Sequence, residues 1–373
     1  MTAARRIAAT LLLTGLAHAP SFAGTYSLTI IGAPTGDNTG SVGYSVNNAG
    51  QVVGFDQMMY PSGGFLWQNG TTTRTMDLPG GNDISWAQAI NASGQIAGYS
   101  RYGTGVNHAF LQTGNTIQDL GDLPGGNATS QAYGINAAGW VVGESSATTG
   151  TRGFVWNGSS LIDIGDLAGG ANLSVARAIN DSNQVVGYSS RTGTVDHAVL
   201  WANGVLTDLG ELPGGNDFSR AYAINNSGQV AGYSAALGAG NISVNRGVVW
   251  SGGTMTDIGD LAGGSEFSIL YGINEAGHAV GRSVNGTGDR AILWRDATLY
   301  DLNDLVPNAH GFELREALDI NGLGQIVGTG WDGTRQRAFL LTPEATGTEV
   351  PEPAGLAIVV LGLAGLAVQR RRR

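Results

Sequence analysis

The amino-acid sequence predicts an all-β fold, a seven-bladed β-propeller of four-stranded antiparallel blades, closed by pairing of the N-terminal strand with the last blade. Three observations predict it. One phrase, "YGINAAGWVVGESS" at 133–146, returns as "YAINNSGQVAGYS" at 222–234 and "YGINEAGHAVGRS" at 271–283. Its Asn falls at Asn47, Asn91, Asn136, Asn180, Asn225, Asn274 and Asn321, in steps of 44, 45, 44, 45, 49 and 47 residues, and a fixed period of that size signals a repeat architecture. Gly is 61 of 373 residues, Pro only 10, and hydrophobic residues make up 42%, which suits many short strands joined by turns rather than a disordered tract.

In chain order, "MTAARRIAATLLLTGLAHAPSFAG" comes first: Arg5 and Arg6, an apolar run over Ile7 to Leu16, then small residues. That is the layout of a secretory signal peptide over residues 1–23, with cleavage after Ala23; a competing site ends at Ala19. The repeated region follows over 24–342. Each unit holds four strand segments, named here a to d. The b strand is "AYGI", "ARAI" or "LYGI"; the c strand "QVVGY" or "WVVGE"; the d strand "GFLW", "HAFLQ" or "HAVLW". The a strand is "TYSLTII" at the start and "RTMDL", "IQDL", "LIDI", "LTDL", "MTDI" and "LYDL" afterwards. These segments are rich in Val, Ile, Tyr, Phe and Trp, are bounded by Gly and Asn, and show no sustained helical period.

The b–c link, Asn-x-x-Gly, suits a type I turn followed by a left-handed residue. In the fourth copy Asn183 stands in the Gly place, and Asn is the residue that best tolerates that conformation after Gly. The d–a link is another tight turn, whereas the a–b link carries "ELPGGNDFS" and its relatives. Four antiparallel strands per ~45 residues is the size of one propeller blade. The region opens with an a strand and ends with a d strand. Blades running b-c-d-a therefore leave the N-terminal strand (Tyr26 to Ile31) to complete the last blade, which removes the bare sheet edges of an open array.

Charge is sparse and one-sided. All 19 basic residues are Arg, and six of them (Arg5, Arg6 and Arg370 to Arg373) stand at the ends, leaving 13 against 29 acids, or −16, between them. An acidic body repels phosphate backbones and anionic membranes, so nucleic acid is not an expected partner. With no Cys in the chain, disulfides, thiolate catalysis and Cys-based zinc sites are excluded.

The final segment reads "VPEPAGLAIVVLGLAGLAVQRRRR" after a linker at 343–349. Its uncharged run, Ala354 to Val368, would cover about 22 Å as a helix, short of the ~30 Å hydrocarbon core. The flanking arginines would snorkel and stay cytoplasmic, so this short transmembrane helix is the expected membrane contact. Val350, Pro351, Glu352 and Pro353, the apolar run and Arg370, Arg371, Arg372 and Arg373 together resemble the PEP-CTERM sorting signal. The resemblance implies cleavage near Pro-Glu-Pro by an exosortase-type enzyme. It further implies a Gram-negative host that makes extracellular polysaccharide, and delivery to the cell surface or matrix. The repeats over about 25–342 resemble the HAF family of extracellular repeats: His108-Ala109-Phe110 stands intact, His197-Ala198-Val199 nearly so, and "DLGDLPGG" (119–126) and "DLGELPGG" (208–215) match its linking motif. That resemblance carries no established activity.

A residue present in every unit is expected to be architectural, and a functional site to be unit-specific. His108 and His197 occupy equivalent places and read as strand-edge residues; His278 follows a turn and His310 lies in a loop. No His pair has metal-site spacing, and no cofactor is expected. The paired acids Asp119/Asp122, Asp163/Asp166, Asp208/Glu211 and Asp257/Asp260 recur once per unit. They read as groups that bond loop amides, with calcium as the alternative. The d-strand Trp67, Trp156, Trp201, Trp250 and Trp294 read as packing between blades, whereas Trp86, Trp140 and Trp331 are candidates for exposed contact. No phosphate loop or nucleophile elbow is present. The clearest irregularity is the c–d insertion at 235–246. Glu144, Glu266, Glu313 and Glu316 are unit-specific acids. The expected function is a non-enzymatic binding or scaffolding module associated with extracellular polysaccharide. The alternative is a polysaccharide hydrolase or lyase, which needs two carboxylates roughly 5–10 Å apart.

Overall fold

The computed structural model describes residues 24–32, 40–57, 63–103 and 105–344. The expected signal peptide and the expected sorting signal, from Val350 to Arg373, lie outside them. Among the described residues no helix is long and apolar enough to cross a membrane.

The body from Tyr26 to Thr342 is a ring of seven four-stranded antiparallel sheets. In the order b, c, d, a, blade I is Ser41–Val46, Val52–Asp56, Gly63–Gln68 and Thr71–Arg74. Blade II is Gly81–Ile90, Ile96–Tyr102, Val106–Thr113 and Thr116–Gly121. Blade III is Ser130–Ile135, Val141–Ala147, Gly150–Trp156 and Leu161–Asp163. Blade IV is Ser174–Ile179, Val185–Thr192, Val195–Ala202 and Val205–Asp208. Blade V is Ser219–Ile224, Val230–Leu237, Ser243–Ser251 and Thr254–Asp257. Blade VI is Ser268–Ile273, Ala279–Asn285, Gly288–Arg295 and Thr298–Asp301. Blade VII is Glu313–Ile320, Ile326–Trp331, Gln336–Pro343 and the N-terminal Tyr26–Ile31, which pairs beside the d strand as its outermost member. The ring is closed as expected, with Tyr26 and Ile31 buried in that last sheet. The b strands of successive blades touch one another all the way round and so line the axis.

Two boundaries differ from those expected. In blade I the a strand is Thr71–Arg74 rather than "RTMDL"; Met76 to Leu78 already belong to the link, where Leu78 is buried and its N–H donates to Ser100 Oγ (3.3 Å). The insertion at 235–246 extends the c–d hairpin, with the c strand running to Leu237, the d strand starting at Ser243 and a 3-10 turn, Ala239–Asn241, at the tip.

The core lies between blades. Val142 and Val155 of blade III pack with Ala176, Val185 and Trp201 of blade IV, and Val186 and Ala198 of blade IV with Ala221, Val230, Val248 and Trp250 of blade V. The "HAF" Phe is a core residue: Phe65, Phe110, Phe154 and Phe339 are fully buried. The Ala before it is equally buried in blades II, IV and VII, and its N–H reaches the next blade, Ala109 to Ser130 Oγ (2.9 Å), Ala198 to Ser219 Oγ (2.9 Å) and Ala338 to Ser41 Oγ (3.0 Å). These bonds satisfy d-strand donors that would otherwise be stranded between sheets.

The repeated Asn does more than turn the chain. At the fourth turn position the backbone is left-handed, φ 78° at Gly228 and 59° at Asn183, as the turn type requires. Each Asn side chain also donates to the backbone oxygen of the next blade's Asn: Asn47 to Asn91 (3.0 Å), Asn91 to Asn136 (3.1 Å), Asn136 to Asn180 (3.2 Å), Asn180 to Asn225 (3.1 Å), Asn225 to Asn274 (2.9 Å), Asn274 to Asn321 (3.1 Å) and Asn321 back to Asn47 (2.9 Å). A closed circle of buried bonds therefore ties the blades at the turn end of the axis. Buried polar groups need such partners, and this arrangement supplies them only when the ring is complete.

Candidate functional site

The site is built on a fault in the strand pairing. In every blade the b–c register slips by one residue three positions before the repeated Asn, for example between Ala132 and Gly134 opposite Gly143 and Val142. The extra residue is a β-bulge, and a bulge re-aims the side chain it carries. The seven bulged residues are Tyr44, Gln88, Tyr133, Arg177, Tyr222, Tyr271 and Leu318, and all of them line one axial cavity of about 300 Å³. The c-strand Gly of "VVG" makes this possible. A Cβ on Gly143 would overlap the Gln131 carbonyl oxygen and lie 2.8 Å from its carbon; Gly98, Gly187, Gly232, Gly281 and Gly328 face the same obstruction from their own b strands. A Gly inside a strand marks such a close backbone approach.

Below this collar, toward the turn end, the cavity is lined by aliphatic side chains, Val46, Ile90, Ile135, Ile179, Ile224 and Ile273. The residues between the two tiers are mostly Ala or Gly. A Cβ on Gly134 would already stand 3.0 Å from the Arg177 carbonyl oxygen of the next blade. The exceptions are Ser45 and Asp319, which meet across the ring closure: Asp319 Oδ2 accepts from Ser45 Oγ (2.9 Å) and Val46 N (3.0 Å). Burial pushes the Asp319 carboxyl up from its ordinary value, against the lowering effect of those bonds.

Two of the four unit-specific acids reach the collar. Glu144 Oε1 accepts from the Tyr133 hydroxyl (2.8 Å), and Glu316 is hydrogen-bonded to Tyr271. Burial raises the Glu316 carboxyl, and the nearby Asp289 adds to the rise. Burial, then Glu144, pushes Tyr133 well up; burial, then Glu316, does the same to Tyr271; and Tyr99 is pushed up to about 12 by burial and its neighbours. Tyr133 and Tyr271 therefore keep their hydroxyl protons at neutral pH, and each is bonded to a carboxylate-bearing side chain, Glu144 and Glu316. Arg177 sits among the collar phenols with its guanidinium 4.4 Å from the Tyr133 ring centroid and 5.3 Å from that of Tyr222. Glu266 and Glu313 do not reach the axis: Glu266 pairs with Arg246 (3.5 Å), and Glu313 with Arg290 and Arg315.

Beside the collar, between blades VI and VII, a second cavity of about 270 Å³ is lined by Arg282, Asp289, Arg315, Glu316, Thr329 and Trp331 among others. Arg282 Nε and Thr329 Oγ1 are buried there without a hydrogen-bond partner. This is the junction whose link departs from "LPGGN": Leu302–Leu305 forms a 3-10 turn, and the link's Asn303 bonds the b strand, its Oδ1 accepting from Leu314 N (2.8 Å).

The structure corrects several expectations about individual side chains. His197 is not a strand-edge residue but is fully buried, with Nδ1 3.0 Å from Asp208 and Nε2 3.2 Å from Asp217. His108 is half-buried and lies 2.8 Å from Asp119. Arg152, Arg246 and Arg290 hold the same place in blades III, V and VI, pairing with Asp166, Asp260 and Glu313. In blades II to VI this position thus carries a His or Arg that ties the d strand to acids of the a strand, the link or the next blade. Ligand atoms of His197, Glu211 and Asp217 lie within 4.8 Å of one another, close enough for a metal. Both ring nitrogens nevertheless already face carboxylates, as the guanidinium does in blade V. The first acid of each pair bonds a loop amide, Asp119 to Gly121 N, Asp163 to Gly165 N, Asp208 to Gly210 N and Asp257 to Gly259 N, each 2.8 Å. Trp86 stacks between Phe55 (5.0 Å) and Tyr99 (4.8 Å), and Trp331 lies under Arg315 (4.9 Å). Trp140 instead packs against the blade III–IV core, so it is not an exposed contact. His278 has its imidazole lowered by burial, and His310 is an exposed residue at φ 50°.

The collar itself is not evident in the sequence. A signal for it exists there: the third residue before the repeated Asn changes chemistry from unit to unit while its neighbours, Asp319 apart, stay small or aliphatic.

Against known proteins, no family model and no curated sequence matches. The fold has solved counterparts. The β-propeller domain of the Trilobed protease from Pyrococcus furiosus, described as an open velcro topology, superposes with a TM-score of 0.54 at 10% identity, covering 87% of this chain and 95% of that one. TolB from Acinetobacter baumannii (TM-score 0.42, 13% identity, 85% and 66% covered) and a catalytically inactive virginiamycin B lyase from Staphylococcus aureus (0.46, 12%, 86% and 100%) are more distant. At these identities the likeness is one of fold.

Proposed function

We infer that this protein is an exported, non-enzymatic binding module of the cell surface or extracellular matrix, and that its ligand, a polysaccharide, is held at the axial collar. The observation that carries this reading is a division of labour along the repeat. The positions shared by all units are consumed by architecture: Asn in the ring, Gly under the bulge, and an apolar d-strand residue, Phe, Val or Ile, between blades. The positions that change converge on one cavity lined by four tyrosines, a guanidinium and an amide. Aromatic rings with polar rims suit the C–H faces and hydroxyls of sugars. The polysaccharide partner, the exosortase-type processing and the surface location rest on the C-terminal resemblance to the PEP-CTERM signal and on the signal-peptide layout. A binding assay with the producing strain's own polymer and with a glycan array tests the reading; loss of binding in a Tyr133→Ala, Tyr222→Ala double variant that still melts cooperatively supports it. Absence of binding to every glycan refutes it.

The hydrolase or lyase reading draws on one observation, the raised Glu316 carboxyl flanking the same guanidinium as Asp289 (Arg282 to Asp289 3.4 Å, to Glu316 4.0 Å). Release of reducing ends from the bound polymer, abolished by Glu316→Gln, would establish it in place of the binding reading.

A further inference from the structure

We propose that the axial collar recognises a carboxylated sugar, a uronate unit presented singly or at a chain end, with its carboxylate on the Arg177 guanidinium. The inference rests on the binding reading above and names its ligand class. Every other collar position carries a neutral side chain, so blade IV alone places a cation there. Interior arginines elsewhere are neutralised: Arg152 by Asp166, Arg220 by Asp196, Arg246 by Asp260 and Arg290 by Glu313. Among the described residues Arg177 has no ion pair and no hydrogen bond; its contacts are the Tyr133 and Tyr222 rings that flank it. The rings hold the guanidinium by cation–π attraction while leaving its N–H fork free, and that planar fork matches a carboxylate.

The acid that lines the same cavity does little against that ligand. Asp319 of blade VII has its carboxyl raised by burial, as does Glu316, which stands behind Tyr271 and lines the neighbouring cavity, so they oppose an entering anion less than ordinary carboxylates would. Glu144, bonded to Tyr133, is the opposing acid on the Arg177 side. A long polyanion is disfavoured by the −16 balance of the body between the terminal arginine groups, whereas one carboxylate in the cavity is not. Binding should therefore weaken little as salt rises, unlike non-specific polyanion adsorption.

Calorimetry on the full-length protein tests this with uronate-containing oligosaccharides, their carboxyl-reduced counterparts, and a short peptide with a free C-terminal carboxylate. The expected result is a preference of about 10- to 100-fold for the uronate over its reduced form, the factor that one charge-assisted bond corresponds to. Arg177→Gln should erase the preference, Arg177→Lys should keep part of it, and Glu144→Gln should sharpen it. Should Arg177→Gln fail to fold, the uronate-versus-reduced comparison on the unaltered protein and the Glu144→Gln variant still decide. Equal binding of uronate and reduced sugar overturns the inference and leaves the binding reading standing. A preference for the peptide over the uronate overturns the sugar assignment, and binding of no saccharide sinks both.

Discussion

Replacing Gly143 by Ala tests how the scaffold aims its variable residues. A Cβ there would sit 2.8 Å from the Gln131 carbonyl carbon and 2.9 Å from Ala132 Cα, with the carbonyl oxygen closer still, where real Cβ contacts essentially never fall below 3.0 Å. Gln131 and Ala132 belong to the buried inner strand, which is close-packed and must retreat by about 1 Å. That movement stretches the neighbouring ladder bonds, at roughly 1 kcal/mol each, and adds an overpacking cost of about 1–3 kcal/mol. A total of about 2–5 kcal/mol follows. With an unfolding entropy of about 0.7 kcal/mol/K for roughly 320 residues, the melting temperature falls by about 3–7 °C. Gly286→Ala is the control: it is exposed, and its Cβ would meet only the Gly263 carbonyl oxygen at 3.3 Å, so its change should stay within about 0.5 kcal/mol. Denaturant and thermal unfolding measure both. If Gly143→Ala melts with the control, the close approach under the bulge is not what requires Gly, and the account of the collar's geometry fails.

Asn225 separates ring from turn: its side chain donates to the Asn274 oxygen (2.9 Å) and Gln229 Oε1 (2.8 Å) and accepts from Gln229 N (2.9 Å). Asn225→Ala should cost about 2–4 kcal/mol; Asn225→Asp, which suits the turn but cannot donate to Asn274, should cost a similar amount, and a harmless Asp would show that only the turn matters. Deleting Thr25 to Ile31 bares the blade VII d strand and removes buried Tyr26 and Ile31, each contributing about 1.5–3 kcal/mol. Melting should drop further than in any single-site variant, and an unchanged transition would contradict ring closure. The raised Glu316 carboxyl means that the folded state holds this proton more tightly than the unfolded chain. Its contribution therefore favours folding at acid pH and is lost as pH rises from the ordinary value of 4.5 through the raised one. Glu316→Gln should flatten that part of the stability–pH profile and stabilise the protein at neutral pH; an unaltered profile would contradict the raised value.

Blade count, strand order and closure were legible because the period fixes the unit and the Asn-x-x-Gly turn fixes one end of it. What stayed hidden involves partners in other units. Asn225 reads as a turn residue because its bond to Asn274 spans 49 positions. Nothing local to the c-strand Gly shows that it seats a bulge, because the carbonyl it must clear belongs to the neighbouring b strand. His197 reads as an edge residue because alternation cannot show Asp208 of the a strand and Glu211 and Asp217 of the link folding over it. Arg177 and Tyr133 came to light only once the bulge set them in one cavity, since their sequence spacing is that of ordinary strand positions in separate blades.

The chain has no Cys, so a single thiol can report occupancy of the axis. Gln88→Cys places that thiol in the collar, and Thr254→Cys places it on an exposed outer strand. The rate of thiol alkylation is then followed while an oligosaccharide that binds is titrated in. Saturation should slow labelling at position 88 and leave position 254 unchanged. Protection at 254 with undiminished labelling at 88 would show that the ligand grips the outer edge of the blades and that the changing residues of the axis are not the binding site.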